Sequence, residues 1–261
     1  MHIIVCLKQV VAGDRVKIDP HTYSLVRSAE SSYINPFDLF ALDMAAQLKR
    51  EHSASITAVT MGPKISEEVL WEALTLGADR AVLLSDKRFA ASDTLATSYV
   101  LGMGIRKIGA FDLILCGMRT TDGDTGQVGP QLAEELNLPH VSAVEKVENE
   151  KGLFRVERIS DGFREIIEVS APALFTVASR TAVRLPGLLD VQDAFNRSSI
   201  EYWNLEDLNA DAGRVGHLGS GTWVEGLTPT AQKKTCLFID EDTRQQARML
   251  LSKLIEKNLL S

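Results

Sequence analysis

The residues best suited to chemistry in this chain form a loop rich in glycine, threonine and aspartate at positions 117–130. An apolar run at residues 111–116 precedes the loop, and a helical pattern at residues 131–138 follows it. A strand, a glycine-rich loop and a helix start in this order expose backbone N–H groups at the positive end of a helix dipole. The pattern therefore predicts an anion site, with a nucleotide phosphate as its natural occupant.

The side chains of this loop refine the prediction. Glycines at positions 117, 123, 126 and 129 permit positive φ or a close approach of backbone to phosphate, while Thr120, Thr121 and Thr125 offer hydroxyl donors. Asp122 and Asp124 oppose a bare anion, and fit better if one caps the helix and the other meets a ribose hydroxyl or solvent. The loop matches neither Walker A nor G-x-G-x-x-G. An ordinary strand-to-helix turn remains the alternative.

Composition narrows the class of protein. The 261 residues are 45% hydrophobic and 24% charged, as in a soluble protein with a well-formed core. A net charge of −7 opposes a nucleic-acid surface, and no apolar run approaches the length of a membrane span. The apolar N-terminus is too short for a signal peptide and is predicted to be a strand. Three dispersed cysteines indicate buried thiols in a reducing compartment, by default the cytoplasm, and no Cys/His grouping predicts a metal site.

Apolar strands alternate with amphipathic helices over the first 140 residues. Strands are predicted at residues 3–11, 55–60, 81–85 and 111–116, and helices at residues 36–51, 66–76 and 92–108. Such alternation predicts an α/β fold with a parallel, doubly wound sheet. Short strands at 141–147, 153–159, 165–170 and 173–177 predict a β-meander at one edge.

A second helix start adds to the predicted site. Asn35 is placed to cap the helix, Pro36 suits its first turn and Asp38 favours its positive end. This helix N-terminus falls near the carboxyl ends of the strands, where open α/β sheets bind ligands. A well-capped helix without a ligand role is the alternative. Met61, after a strand end, is expected either to line an adenine pocket or to belong to the core.

The C-terminal part is predicted to differ from the rest. Residues 204–234 show no sustained periodicity, so we expect an arm that rests on another surface. Asp240 is expected to cap a final helix whose apolar side is suited to a partner subunit and consists of Leu250, Leu251, Leu254, Ile255 and Leu259. A helix folded back on its own domain is the alternative. The predicted division is residues 1–184, a nucleotide-binding domain, and residues 185–261, a recognition loop, arm and helix that pack on the partner.

Taken in order, several segments resemble the beta (small) subunits of electron-transfer flavoproteins over nearly the whole chain. They are CLKQV at 6–10, NPFDLFALD at 35–43, AVTMGP at 58–63, ALTLGADRAVLL at 73–84, DLILCGMRTTDGDTGQVGPQLAEEL at 112–136 and RLPG at 184–187. The resemblance implies an adenine nucleotide alpha hydrolase-like fold, a heterodimer with an alpha subunit, and a crevice for AMP or for the AMP half of FAD. It implies an electron carrier and assigns no catalytic residue.

The cofactor-binding residues implied by the resemblance share the carboxyl edge of the predicted sheet. They are Cys6, Asn35, Pro36, Phe37, Asp38, Met61, Gly117, Met118, Arg119, Thr120, Thr121, Asp122, Gly123, Asp124, Thr125, Gly126, Gln127 and Val128.

The segment DGDTGQVGP at 122–130 resembles the branch of the family that keeps FAD in this subunit and bifurcates electrons from NADH. In that branch one electron goes to the FAD of the alpha subunit and the other to a low-potential acceptor such as ferredoxin. Gly123 and Gly126 would leave room for the flavin diphosphate. Arg119, in a GMRT segment that replaces the familiar GKQA, would compensate charge on the diphosphate or remain solvated.

Leu185 occupies the position of the family's recognition loop. The resemblance implies that its side chain anchors in a pocket of an acyl-CoA dehydrogenase-like or other flavin dehydrogenase partner. Internal packing of Leu185 before Pro186 is the alternative.

Two other classes of function compete with an electron carrier. One is a nucleotide-binding regulatory module of the universal-stress-protein type, which the partner-seeking segment after Leu185 opposes. The other is an ATP-cleaving enzyme of the same superfold, which the lack of a Ser-Gly-Gly-x-Asp-Ser loop opposes.

Overall fold

The computed structural model describes residues 1–11, 17–18, 25–26, 32–178, 185–197, 199–225, 236 and 238–260. The chain divides into two compact units, Met1–Glu225 and Gly226–Ser261. The strands are β1 (His2–Cys6), β2 (Gln9–Val11), β3 (Lys17–Ile18), β4 (Leu25–Val26), β5 (Ser32–Ile34), β6 (Ser55–Met61), β7 (Arg80–Leu84), β8 (Leu113–Gly117), β9 (His140–Glu150), β10 (Leu153–Ser160), β11 (Phe163–Ser170), β12 (Ala173–Val177) and β13 (Ile200–Trp203). The α-helices are α1 (Pro36–His52), α2 (Glu67–Thr75), α3 (Thr94–Ile108), α4 (Val128–Leu136), α5 (Leu188–Arg197), α6 (Leu205–Leu208), α7 (Gly216–Gly219) and α8 (Thr243–Glu256).

A nine-stranded sheet forms the centre of the first unit, in the order β11-β10-β9-β12-β8-β1-β6-β7-β13. In this spatial order, the six strands from β12 through β8, β1, β6 and β7 to β13 run parallel to one another. β9, β10 and β11 pair antiparallel with one another. After β1 the chain adds β6 on one side of β1, whereas after β8 it adds β9 and β12 on the opposite side of β8. The strand order therefore reverses between β1 and β8. Open α/β sheets bind ligands at such a reversal. The predicted α/β class is confirmed.

Helices cover both faces of the sheet. Alternate side chains of β1 point into two separate core clusters, with Ile3 and Val5 in one and Ile4 and Cys6 in the other. The buried apolar side chains of α1 and α2 belong to the first cluster, and nearly all of those of α3 and α4 belong to the second. Because the central strands are buried on both faces, their sequences are almost continuously apolar, which made them recognisable.

The first predicted strand, at residues 3–11, is in fact two strands. β1 ends at Cys6, and β2 joins β5 in a separate antiparallel pair. The interruption falls at Leu7 and Lys8, where the Leu7 N–H donates to the carbonyl of Val59 and the Lys8 N–H donates to the carboxylate of Asp38. The break therefore results from contacts with distant residues, which an apolar pattern does not reveal.

The predicted meander is correct for three strands and wrong for the fourth. β9, β10 and β11 form antiparallel hairpins at the sheet edge, as expected. β12 instead returns to the interior of the sheet and pairs parallel with both β8 and β9. All five residues of β12 are buried, which is typical of a central strand.

The described residues between 199 and 225 pack on the first unit rather than forming an arm. β13 adds to the sheet beside β7, pairing Ile200 with Ala81 and Trp203 with Leu84. Leu205, Leu208 and Val215 are buried in the core cluster that α3 and α4 line. The expectation that residues from 204 onward rest on another surface is therefore wrong for residues 205–215, which pack on the chain's own core, whereas Leu218, Trp223 and Val224 are exposed. Residues 226–234 of the predicted arm, and Arg184 at the predicted domain boundary, lie outside the described residues.

The second unit contains α8. Asp242, not the predicted Asp240, caps this helix, and its carboxylate accepts from the N–H groups of Arg244 and Gln245 at 2.9 and 3.1 Å. The side chains of Met249, Leu250 and Ile255 are exposed. Among the described helices of the chain, none is long and apolar enough to cross a membrane.

Candidate functional site

The candidate site lies at the carboxyl edge of the sheet, where the strand order reverses between β1 and β8. Cys6 at the end of β1 is in register with Cys116, one residue before the end of β8. β6, which ends at Met61, flanks β1 on its other side. The structure thus brings the three predicted strand ends to neighbouring positions, and the loop at residues 118–127 begins among them.

Asp38, in the first turn of α1, joins two of these strand ends. Its carboxylate accepts hydrogen bonds from the N–H of Lys8 at 2.7 Å and from the N–H of Gly117 at 3.0 Å. Burial raises the pKa of Asp38 to about 7, and the hydrogen bonds from Asn35, Lys8 and Gly117 limit that rise. The buried carboxylate of Asp38 therefore links α1 to the ends of β1 and β8 by accepting hydrogen bonds from their backbone N–H groups.

Asn35 has a different role from the predicted helix cap. It occupies the N-cap position of α1, but its side chain makes no capping hydrogen bond. Its amide donates to the carbonyl of Arg119 at 2.9 Å, and its carbonyl oxygen accepts from the N–H of Thr121 at 3.2 Å. The buried Asn35 side chain thus fixes the shape of the loop that follows β8.

The loop's own side chains are paired as well. The Arg119 guanidinium lies 5.1 Å from the centre of the Phe37 ring and 3.1 Å from the carboxylate of Asp124. Asp124 has φ of 51° and Gly126 has φ of 64°. The predicted need for a left-handed glycine is met at Gly126, because a Cβ there would be strained and would lie 3.3 Å from the carbonyl oxygen of Met118.

Neither loop aspartate caps α4, contrary to the prediction. The N-cap residue is Gln127, which makes no side-chain capping bond. Asp122 instead accepts from the Lys8 ammonium at 2.7 Å and from the N–H of Gly123 at 2.7 Å. Burial by itself would raise the pKa of Asp122, but the charge and hydrogen bond of Lys8, together with hydrogen bonds from Thr120 and Gly123, outweigh that effect and lower it.

Backbone donors collect at the start of α4. Among the described residues, none accepts a hydrogen bond from the N–H groups of Thr125, Gly126, Gln127 or Val128. Thr94, at the start of α3, donates its hydroxyl to the side-chain carbonyl of Gln127 at 3.1 Å, so two helix N-termini lie side by side. These free donors and aligned dipoles favour an anionic group.

Glycine permits the close contacts beneath the loop. A Cβ on Gly117 would lie 2.7 Å from the carbonyl carbon of Phe37 and would collide with the Asp38 carboxylate. A Cβ on Gly129 would lie 3.2 Å from the sulfur of Cys116 and would collide with Thr176. The end of β8 therefore packs directly against the first turn of α1, and the start of α4 packs directly against β8 and β12. Neither glycine position has room for a side chain.

The thiols of Cys6 and Cys116, at the ends of β1 and β8, are expected to be poorly reactive. Burial raises the pKa of the Cys6 thiol to about 12, and the nearby Asp38 adds to the shift. The pKa of Cys116 is also raised well above its ordinary value by burial. Cys6 and Met61 both pack in the core cluster beneath α3 and α4, so they shape the floor of the site.

Two residues of this site escaped the sequence reasoning, and the predicted partner-binding residue Leu185 is exposed. Lys8 was missed although it is the first charged residue after an apolar strand, which is a usable signal. Thr94 was missed because its contact with Gln127 joins two separate helix starts. The side chain of Leu185 is 85% exposed, so its internal packing, the alternative reading, is wrong for the chain alone.

This mostly parallel α/β sheet, with a glycine-rich loop at its strand reversal, has the open doubly wound architecture in which ligands bind at such a crevice. The family described as the electron transfer flavoprotein domain matches residues 22–207. The chain belongs to the electron-transfer flavoprotein family, and its similarity over full length is to the beta subunits and FixA proteins of that family.

Three relatives illustrate the similarity. The electron transfer flavoprotein subunit beta of Clostridium acetobutylicum is 37% identical over 262 residues, covering 100% of both chains. Protein FixA of Azorhizobium caulinodans is 38% identical, covering 98% of this chain and 95% of the relative. The Caffeyl-CoA reductase-Etf complex subunit CarD of Acetobacterium woodii is 38% identical over 265 residues, covering 100% of both. These matches support an electron-transfer function and do not favour the universal-stress-protein alternative.

Proposed function

We propose that this chain binds FAD, or alternatively AMP, at the carboxyl edge of β1, β6 and β8, and carries electrons as one subunit of a heterodimer with an alpha subunit. The observation that carries the proposal is the row of N–H groups at Thr125 to Val128, which have no acceptor among the described residues and belong to a loop that Asn35 holds by two hydrogen bonds. Phosphate oxygens accept hydrogen bonds from such donors and are stabilised by the dipole of α4.

The residues present fit an adenylate. The loop offers backbone donors without a bulky side chain at Gly123, where a Cβ would meet its nearest neighbour only at 3.5 Å. Met61 lies half-buried on the floor at the end of β6. A flavin bound here would supply the chemistry that accepts and donates electrons. The chain's own residues would bind the phosphates and orient the ligand, and no catalytic acid or base is assigned among the described residues of the site.

The assembly with an alpha subunit rests on the exposed apolar side of α8. Leu250, Leu251 and Ile255 are exposed on a helix that Asp242 caps well. An apolar stripe of this kind on a stable helix suits burial against another chain. Leu185, with Leu188 and Leu189 also exposed beside it, is proposed as the anchor for an acyl-CoA dehydrogenase-like or other flavin dehydrogenase.

We further propose that the heterodimer accepts electrons from NADH and bifurcates them between the flavin of the alpha subunit and a low-potential acceptor such as ferredoxin. The support is the DGDTGQVGP segment and the similarity to a relative named as part of a Caffeyl-CoA reductase-Etf complex. We propose a cytoplasmic location, in keeping with the buried, unpaired Cys6 and Cys116.

The test is a count of flavin and AMP in the heterodimer purified from cells that express both subunits, followed by titration with NADH. Two FAD per heterodimer and bleaching of the flavin absorbance by NADH are expected. One FAD plus one AMP, with no reaction with NADH, would leave the electron carrier and remove bifurcation. Absence of any nucleotide would remove the proposed site itself.

A further inference from the structure

The side chain of Lys8 bridges the end of β1 and the loop after β8. Its ammonium lies 2.7 Å from Oδ1 of Asp122, and the two residues are far apart in sequence. The Asp122 side chain is only 5% exposed, whereas that of Lys8 is 40% exposed. The pair therefore places one nearly buried negative charge and one accessible positive charge at the wall of the candidate site.

Asp122 would by itself oppose a phosphate. Its pKa is lowered, so the carboxylate is ionised at neutral pH, and it sits in the loop that offers N–H donors at Thr125 to Val128. Repulsion between like charges is strong where water is largely excluded. Some cation must balance this carboxylate before a phosphorylated ligand can bind next to it.

Among the described residues, Lys8 is the cation placed to do so. Arg119, the other basic residue of the loop, pairs with Asp124, whose side chain is exposed. The backbone of Lys8 is fixed by its N–H bond to Asp38 at 2.7 Å, so its side chain starts from a defined position. The other hydrogen-bond donors to Asp122, the N–H of Gly123 and the hydroxyl of Thr120, bring no net charge.

We infer that Lys8 is a specificity-determining residue of this site: by neutralising Asp122 it admits ligands that carry a phosphate. This inference rests on the proposed function, because it assigns the charge balance of the proposed nucleotide site. It predicts that Lys8 matters for AMP, whose phosphate meets the loop, and not for adenosine, which lacks the phosphate.

The experiment measures AMP and adenosine affinities by titration calorimetry on the nucleotide-free heterodimer with the full-length chain. Lys8→Met should weaken AMP binding by about tenfold or more, because a buried carboxylate is left unbalanced, and should change adenosine binding by less than about twofold. Adding Asp122→Asn to Lys8→Met should restore most of the AMP affinity. Asp122→Asn alone should strengthen AMP binding, because Lys8 then faces the phosphate without a competing carboxylate.

Lys146→Met is the matched control. Lys146 makes an exposed ion pair of similar length with Glu148, at 2.6 Å on β9 and away from the site, and its loss should leave both affinities unchanged. Lys8→Arg should keep most of the AMP affinity because it keeps the charge. If Lys8→Met does not fold, Asp122→Asn alone decides, since unchanged or weaker AMP binding contradicts the inference.

The outcomes separate the inference from the proposed function. If the unmodified protein binds neither AMP nor adenosine, the proposed site is wrong and the role of Lys8 falls with it. If the unmodified protein binds AMP while Lys8→Met binds it equally well, only the inference is wrong. Equal weakening of AMP and adenosine would show that Lys8 supports the fold, which also overturns the inference.

Discussion

The backbone N–H of Gly117 donates to the buried carboxylate of Asp38 at 3.0 Å, which joins the end of β8 to the first turn of α1. The contact is possible because Gly117 has no side chain; a Cβ there would collide with that carboxylate. The same carboxylate holds the backbone of Lys8 at the end of β1. Two neighbouring strand ends and one helix start are thus fixed to a single group beneath the candidate site.

Substitution of Gly117 by alanine should separate these elements. A Cβ at this position would also lie 2.7 Å from backbone and side-chain carbons of Phe37, and a backbone neighbour cannot move cheaply. We expect the free energy of unfolding to fall by ~1–3 kcal/mol, the usual cost of overpacking a tight site, with loss of AMP binding. Denaturant unfolding and calorimetry measure the two effects.

Gly123→Ala is the control for that substitution. Its φ is not left-handed, and the added Cβ would approach Thr120 Oγ1 only to 3.5 Å, an ordinary contact. The free energy of unfolding should therefore change by less than ~0.5 kcal/mol, as at most surface positions. If Gly117→Ala unfolds at the same denaturant concentration as Gly123→Ala, the close approach does not constrain the fold.

The sequence predicted the central sheet well because burial on both faces leaves a strong local signature. β6, β7 and β8 appear as apolar runs, and the start of α1 at Pro36 agrees with the prediction. The position of β12 between β8 and β9 was not predictable in this way, since strand order depends on hydrogen-bond partners far away in the chain. β13 was missed because it is a short edge strand in which polar residues interrupt the pattern.

The predicted site residues came together at the sheet edge, but several have roles that local reasoning assigned wrongly. Asn35 was expected to cap α1, yet its partners are Arg119 and Thr121, more than 80 residues later. Asp122 was expected at a helix cap or a ribose, yet it pairs with Lys8. A side chain that can hydrogen-bond either to a nearby N–H or to a distant loop gives no sign in the sequence of which partner it has in the fold.

Asp38 should make stability depend on pH in a specific direction. Burial raises its folded-state pKa to about 7, above the value of ~3.9 expected in the unfolded chain. The unfolded state therefore releases the proton first, and stability that is present below pH ~4 is lost as the pH rises through about 7. The total loss of stability corresponds to ~1.4 kcal/mol for each unit by which the folded and unfolded pKa values of Asp38 differ.

The measurement compares the unmodified chain with Asp38→Asn, which does not titrate. The difference between their free energies of unfolding should decline between pH 4 and pH 7 and become flat above that range. Absolute stability of each protein is less informative, because other carboxylates titrate near pH 4 in both. A difference that stays constant or rises across this range would contradict a raised pKa for Asp38.

The three thiols should differ sharply in reactivity. Cys236 is exposed, whereas Cys6 and Cys116 are buried and burial raises the pKa of both. A thiol reagent such as dithionitrobenzoate should modify one cysteine per native chain quickly and the other two only after unfolding. Cys236→Ser should abolish the fast reaction. Rapid modification of two or three thiols in the native chain would mean that the strand ends are open to the reagent.

Truncation should distinguish the predicted domain boundary after residue 184 from the compact unit that ends at Glu225. A chain that stops at residue 184 loses β13, which covers the edge of β7, and loses the buried Leu205, Leu208 and Val215. Each such apolar side chain contributes ~1.5–3 kcal/mol when buried, so this shorter chain should lose several kcal/mol and unfold without a cooperative transition.

A chain that stops at Glu225 should instead keep the cooperative unfolding of the first unit, because the sheet and both core clusters remain complete. It should fail to form the proposed heterodimer, since the exposed leucines of α8 are absent. Leu250→Ser with Leu251→Ser in the full-length chain provides a matched test, because these exposed side chains contribute little to the chain's own core. Normal assembly with the alpha subunit after either change would assign the interface to a different surface, and a collapse of stability on truncation at Glu225 would show that the second unit belongs to the fold.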